Sequence, residues 1–202
     1  MKQPLYIHNF IPVTAAEGPG NRACLWVQGC AIRCKGCMVP HTWDKHKGRI
    51  ADTDQLIQQI LATPDIEGLT VLGGEPMDQA EALLPLLQAV TAQGLSLMLF
   101  SGYTRETLLA SGGAAQKAII DLCDIFVDGP YMQELTDFSR PWVGSSNQRI
   151  FFQTPRYQHL ESQLNTISNK VEIRINDEGT ITLNGMLPQE QFNELRELLK
   201  HL

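Results

Sequence analysis

No run of apolar residues in this 202-residue chain is long enough to cross a bilayer, so membrane-spanning classes are excluded from the sequence reading. The opening Met1-Lys2-Gln3-Pro4-Leu5-Tyr6 lacks the apolar stretch of a secretory signal, and a cytoplasmic location is expected. Basic charge is in deficit: 16 Lys and Arg face 22 Asp and Glu, a formal net charge of −6. A chain of that sign lacks the cationic surface with which nonspecific nucleic-acid binders displace counterions, so direct nucleic-acid binding is not expected, whereas a nucleotide ligand is allowed. Repeats and low-complexity tracts are also missing. Cysteine is scarce and unevenly placed, five in all with three inside eight residues. Three so close cannot pair evenly as disulfides, and reduced intracellular metal ligation suits them better. The 43% hydrophobic and 19% charged composition allows one sizeable core with a small appendage.

What is present is concentrated in Cys30-Ala31-Ile32-Arg33-Cys34-Lys35-Gly36-Cys37. Three thiolates at CxxxCxxC spacing can hold three corners of an iron-sulfur cube, leaving the fourth iron without a protein ligand. An open metal position is where a small molecule binds and reacts, as in catalytic rather than structural zinc sites. Two rivals share the spacing. His41, four residues past Cys37, can close a tetrahedral Cys3His zinc site, and Cys24, six residues before Cys30, can saturate an electron-transfer cluster. Against the second, Cys24 shares a strand face with Trp26, and small apolar cysteines are often simply buried. Cys123, inside Ala118 to Phe126, reads as core in the same way.

Glu17-Gly18-Pro19-Gly20-Asn21-Arg22 precedes the cysteines, and Gly73-Gly74-Glu75-Pro76 follows them. Together these residues resemble the radical S-adenosylmethionine superfamily. The resemblance implies that Cys30, Cys34 and Cys37 carry a 4Fe-4S cluster whose unique iron chelates the amino and carboxylate groups of S-adenosylmethionine. The turn Gly73, Gly74, Glu75 and Pro76 would bind the methionine amine. It implies, too, that an electron from a low-potential donor breaks the sulfonium S–C5′ bond and that a 5′-deoxyadenosyl radical takes a hydrogen atom from the substrate.

Ser101-Gly102-Tyr103, Val127-Asp128-Gly129 and Trp142-Val143-Gly144-Ser145-Ser146-Asn147-Gln148 occur in the order found in activating proteins of anaerobic ribonucleotide reductases. The chain resembles that family from about residue 1 to residue 152. An oxidoreductase that installs a glycyl radical on a large partner enzyme is thereby implied, with no cysteines to spare for a second cluster. Ser101 and Asp128 are candidate contacts to the cofactor's polar groups, with strand-end capping and a turn carboxylate as the structural alternatives. Asn147 and Gln148 line the site or satisfy loop backbone. Arg33 and Lys35 tune the cluster, meet an electron donor or form a solvated face, and Trp43 and Trp142 read as packing residues. A radical enzyme acting on a peptide or small heterocycle is the alternative function, and a noncatalytic zinc protein the third. Met38 stands where these activating proteins usually carry an aromatic residue, and Glu75 where aspartate is common.

Strands are predicted at Leu5–Val13, Ala23–Gln28, Leu69–Leu72, Leu95–Phe100 and Ile125–Val127. Between them fall helices at Asp54–Ala62, capped by Thr53 with Leu56, Ile57, Ile60 and Leu61 as its apolar face, and at Gln79–Ala92, with a kink or late start at Pro85. Two shorter helices follow, one from a Thr104 cap to Ala110 and one at Ala114–Leu122. The alternation predicts parallel βα units. The resemblance extends this to an α/β fold built as an incomplete (βα) barrel of the radical S-adenosylmethionine type, with its chemistry at the strands' carboxyl ends. Beyond Gln153 a polar, irregular stretch to Lys170 leads into a hairpin of Val171–Ile175 and Thr180–Leu183. A last helix starts at Pro188, with Phe192, Leu195, Leu199 and Leu202 on one side. The expected division is a core at 1–152 and a hairpin-helix extension at 153–202 that packs on it.

Overall fold

Predominantly apolar runs build the middle of the sheet in the computed structural model, which describes residues 3–199. Seven strands join in the order β3-β1-β2-β4-β5-β6-β7: β1 (Tyr6–Thr14), β2 (Arg22–Val27), β3 (Arg49–Ile50), β4 (Gly68–Gly73), β5 (Ser96–Phe100), β6 (Ile125–Asp128) and β7 (Arg149–Phe152). The four central strands β2, β4, β5 and β6 run parallel. All residues of β2 and β6 are buried, as strands covered on both faces require.

The outer strands lie outside the parallel βα units. β1 runs antiparallel to β2, because the short link from Thr14 to Arg22 has no room for a crossover helix. β7 folds back antiparallel on β6 after a connection that holds only a 3-10 turn, Gln133–Leu135. The fold is therefore mixed α/β with a mostly parallel central sheet.

Helices α1 (Thr53–Ala62), α2 (Ala80–Ala92), α3 (Arg105–Ser111) and α4 (Ala114–Leu122) supply the crossovers. The cap of α1 is Asp52, whose side chain accepts the Gln55 N–H, and Thr53 is the first helical residue. Leu56 and Ile60 are buried while Leu61 stands 40% exposed, so the apolar face is narrower than its sequence suggests. Thr104 does cap α3, accepting the Thr107 N–H. Pro85 lies inside α2 without ending it, on the exposed side beside exposed Glu81, whose carbonyl would otherwise have received the missing N–H bond.

The strand period of two divides the sheet's faces. Leu25, Leu69, Val71, Leu97 and Leu99 pack with Leu83, Leu86, Leu87 and Val90 of α2 in the main core, each fully buried leucine worth roughly 1.5–3 kcal/mol. On the opposite face Cys24 and Trp26 pack with Ile11 and Leu72. Cys123 is fully buried and its thiol donates to the Ile119 carbonyl, so both outlying cysteines serve as core.

At the strands' amino ends lies Arg22, 0% exposed. Its guanidinium donates to Thr70 Oγ1 at 2.7 Å, Ser96 Oγ at 2.9 Å and the Leu69 carbonyl at 2.9 Å, joining β2, β4 and β5. Desolvation by burial lowers its pKa from the ordinary value. Gly18 fits around it only because it has no side chain: its φ is +143°, and a Cβ there would come within 2.7 Å of Arg22 Cδ.

Past β7 the chain is less irregular than expected. The short helix α5 (Pro155–Gln158) buries Tyr157 against Arg22 and Ser96, and Leu160, Leu164 and Ile167 pack beside Met98, Ile125 and Trp142. Strands β8 (Val171–Ile175) and β9 (Ile181–Gly185) then form a separate antiparallel hairpin, followed by α6 (Gln189–Leu199). Phe192, Leu195 and Leu199 are half-buried along one side of α6, and Leu202 lies outside the described residues. Among the described residues, no helix is long and apolar enough to cross a membrane.

Candidate active site

The carboxyl ends of β2, β4, β5 and β6 open onto one cleft of about 610 Å³. Cys30, Cys34 and Cys37 line it, as do Gly73, Gly74, Glu75, Ser101 and Gly129. Trp26, Leu72 and Phe100, from successive parallel strands, give it an apolar floor.

Backbone hydrogen bonds fix the cysteine loop. The Gly29 N–H donates to the Thr42 carbonyl at 2.7 Å and the Cys30 N–H to the Trp43 carbonyl at 3.1 Å. The buried Gln28 amide donates to the carbonyls of His41 and Asp44, both at 2.8 Å. Arg33 at φ +52° and Gly36 at φ +75° adopt left-handed backbone, the two reversals within the loop that carries the three thiols. All three thiols are half-buried. Burial pushes the Cys30 thiol pKa up, opposed by the backbone N–H groups of Arg33 and Ile32, and pushes Cys34 up, opposed by the Tyr131 N–H.

These residues fit a 4Fe-4S cluster: three thiols face one cleft, and amides directed at Cys30 and Cys34 supply the N–H···S bonds that support cluster thiolates. The zinc alternative would draw on the same three thiols together with His41, which lines the same cleft. His41 is exposed and sits 4.7 Å, centroid to centroid, from the His8 ring.

The Gly-Gly-Glu turn is held against the cysteine loop. The Gly74 N–H donates to the Val27 carbonyl and the Glu75 N–H to the Gly29 carbonyl, both at 2.8 Å. A Cβ on Gly74 would lie 2.2 Å from the Gly29 oxygen, so only glycine permits this approach. Glu75 is 1% exposed. Its carboxylate accepts from the Met77 N–H at 2.9 Å, Ser101 Oγ at 2.9 Å and the Gly102 N–H at 2.7 Å, yet desolvation by burial dominates and its pKa is pushed up to about 7. Pro76 is buried and starts a 3-10 turn, Pro76–Gln79, away from the cleft lining.

Ser101 and Asp128, paired in the sequence reading, separate here. Ser101 lines the cleft and donates to Glu75. Asp128 is fully buried outside the lining, with one oxygen on the Arg105 N–H at the start of α3 and both on the Arg149 guanidinium. Gln148 lines the cleft while its Oε1 accepts from the Gly144 and Ser145 N–H groups, and Asn147 donates to the Pro130 carbonyl; both organise the turn. Trp142 packs with Met98, Ile125 and Val127.

Two contributors were not picked out by sequence reasoning. Glu17 lines the cleft at 5% exposure, and its position before Gly-Pro-Gly was the available signal. The C-terminal extension is the other: Thr182 and Asn184 of β9, Met186 just after it and Phe192 of α6 line the cleft, though a polar alternating strand pair does not mark which residues reach it. Asn184 Nδ2 donates to Glu17 Oε1 at 3.1 Å and to Thr14 Oγ1 at 3.0 Å, while Glu172 accepts from Thr14 Oγ1 at 2.8 Å and the Ala15 N–H at 2.7 Å. Desolvation by burial raises the Glu17 pKa, opposed by Asn184 and the Gly185 N–H.

Comparison with known proteins agrees with this geometry. A family profile described as a 4Fe-4S single cluster domain matches residues 16–151. The anaerobic ribonucleoside-triphosphate reductase-activating protein of Escherichia coli is 35% identical over 151 residues, 71% of this chain and 96% of that protein. Its Vibrio cholerae namesake is 35% identical over 154 residues, covering 71% and 95%. A putative glycyl-radical enzyme activating enzyme of Haemophilus influenzae is 29% identical over 205 residues, 96% of this chain and 70% of that protein. The chain thus belongs to the 4Fe-4S single-cluster family of activating proteins, enzymes of the radical S-adenosylmethionine class that its motifs resemble.

Proposed function

We propose that this protein uses a 4Fe-4S cluster and S-adenosylmethionine to install a glycyl radical on a large partner enzyme, an anaerobic ribonucleotide reductase. The observation that carries the reading is the meeting of three cysteines and the Gly-Gly-Glu turn in one cleft at the strands' carboxyl ends. When bound, the cofactor pair supplies reductive cleavage of a sulfonium and hydrogen-atom abstraction. Cys30, Cys34 and Cys37 hold the cluster, and Gly73, Gly74, Glu75 and Pro76 form the turn that receives the methionine amine. Glu75 keeps a buried carboxyl beside that turn, and Ser101 holds it in place from β5. Asp128 acts as a positioning residue, tying β6, β7 and α3 together below the rim.

In the same reading the parallel strands form an incomplete (βα) barrel, with a radical S-adenosylmethionine core at 1–152 and an extension at 153–202 that works in the cytoplasm with the rest of the chain. The family match ending at residue 151 supports that division. The extension's hairpin walls the cleft and so restricts what enters it.

Anaerobic reconstitution tests the proposal. About four irons and four sulfides per chain are expected, with release of 5′-deoxyadenosine on reduction. Incubation with an anaerobic ribonucleotide reductase should then give a glycyl radical by electron paramagnetic resonance. One tightly bound zinc and no iron-dependent cleavage would overturn the reading, and hydrogen abstraction from a free peptide instead would redirect it.

A further inference from the structure

A second cleft, of about 620 Å³, reaches the cysteine loop from another side. Cys30 and Trp43 line both clefts, and Cys30 is the one cysteine of the three that does. The two differ in charge. Among the described residues lining the cofactor cleft there is no lysine or arginine, whereas Arg33, Lys45 and His46 line the second. Lys47, on the same 3-10 turn as Lys45, and Arg49, at the start of β3, follow within four residues along the chain, and all five side chains belong to exposed residues.

Between residues 31 and 50 the chain carries five Lys and Arg against Asp44 alone, a local net charge of +4 in a chain of −6. The two carboxylates on the rim have internal roles: Asp44 accepts the His46 N–H, and Asp78 accepts from the Ala31 N–H and the Tyr103 hydroxyl. Lys35 meets Glu134 at 3.3 Å, an exposed pair of little energetic weight.

The function proposed above requires an electron from outside, while its own cleft must hold a sulfonium nucleotide and admit a hydrogen donor. We infer that an acidic one-electron carrier protein docks on the rim formed by Arg33, Lys45, Lys47 and Arg49, and that its electron enters on the Cys30 side. The carrier is oxidised by one electron and the cluster accepts that electron, with no proton moved and no bond broken in the transfer. A cationic rim on an otherwise acidic protein concentrates a negatively charged partner at this edge, an effect that salt screens over a Debye length of about 10 Å at 0.1 M.

The test uses the reconstituted full chain and two reductants in stopped flow: reduced plant-type ferredoxin as the acidic carrier, and photoreduced 5-deazariboflavin as a small control. In Lys45→Glu/Lys47→Glu/Arg49→Glu the second-order rate with ferredoxin should fall at least tenfold at low ionic strength and lose its decline with salt. Iron content, and both cluster reduction and 5′-deoxyadenosine release with deazaflavin, should stay as in the wild type. Equal ferredoxin rates in the two proteins would overturn the inference. So would a variant that receives ferredoxin electrons normally but fails to transfer the radical under deazaflavin, since the rim would then serve the radical acceptor. Failure of the wild type to cleave S-adenosylmethionine with deazaflavin would instead defeat the underlying function, and this inference with it.

Discussion

Glu75 offers the sharpest test of the site's electrostatics. Its carboxyl is 1% exposed, and burial pushes its pKa up to about 7 from an ordinary 4.5, although three donors face it. The folded state therefore binds a proton more tightly than the unfolded chain. Stability is greatest below pH 4.5, declines as the pH rises through that value, and levels off above about 7, where both states are ionised. Integrated between pH 5 and pH 8, the shift makes ionised Glu75 cost about 2–3 kcal/mol. Glu75→Gln removes the titration while keeping the shape. Its oxygen can still accept from Met77 and Ser101, but its amide opposes the Gly102 N–H, a pH-independent loss of about 1–3 kcal/mol. Urea denaturation of cofactor-free, reduced wild type and variant at pH 5, 6, 7 and 8 separates the two effects. The wild type should lose about 2–3 kcal/mol relative to the variant across that range. A difference that stays flat with pH would refute the reasoning, because it would mean that the three donors offset desolvation completely.

Arg22→Met strands buried acceptors on β4 and β5 and should cost about 2–4 kcal/mol by urea denaturation. Gly74→Ala pushes a methyl into the Gly29 carbonyl; about 1–3 kcal/mol of stability should be lost, and iron retention after reconstitution should fall. Cys34→Ala should retain no intact cluster by iron and sulfide analysis, whereas Cys24→Ala should reconstitute normally. Asn184→Ala removes a donor from buried Glu17, and limited proteolysis should then cut residues 171–199 faster, at a stability cost of about 1–2 kcal/mol.

The parallel strands were legible because burial on both faces leaves predominantly apolar runs, and the start of α4 was legible because the Ser111-Gly112-Gly113 break precedes it. Adjacent cap-forming residues blurred the start of α1, where Asp52 and not Thr53 takes the N–H bond. β7 escaped notice as an outer strand of four residues entered from a loop, where no long apolar run marks it. Within the site, local spacing singled out the cysteines and the Gly-Gly-Glu turn, which the structure brings to one cleft. For Asp128 the sequence left two readings open, a cofactor contact and a turn carboxylate, because its partner Arg149 lies 21 residues away and no local spacing marks that pairing. The hairpin's place at the cleft likewise depends on Asn184 finding Glu17 across 167 residues, and no period in a sequence encodes such a meeting.

The buried guanidinium at the strands' amino ends separates foundation from workshop. Six residues of β2 at about 3.3 Å each place roughly 15–20 Å between Arg22 and the loops that do the chemistry. Rim segments can therefore be exchanged, lengthened or roofed by a new appendage while the keystone below keeps the strands aligned. A chain built this way is free to change clients without having to relearn how to fold.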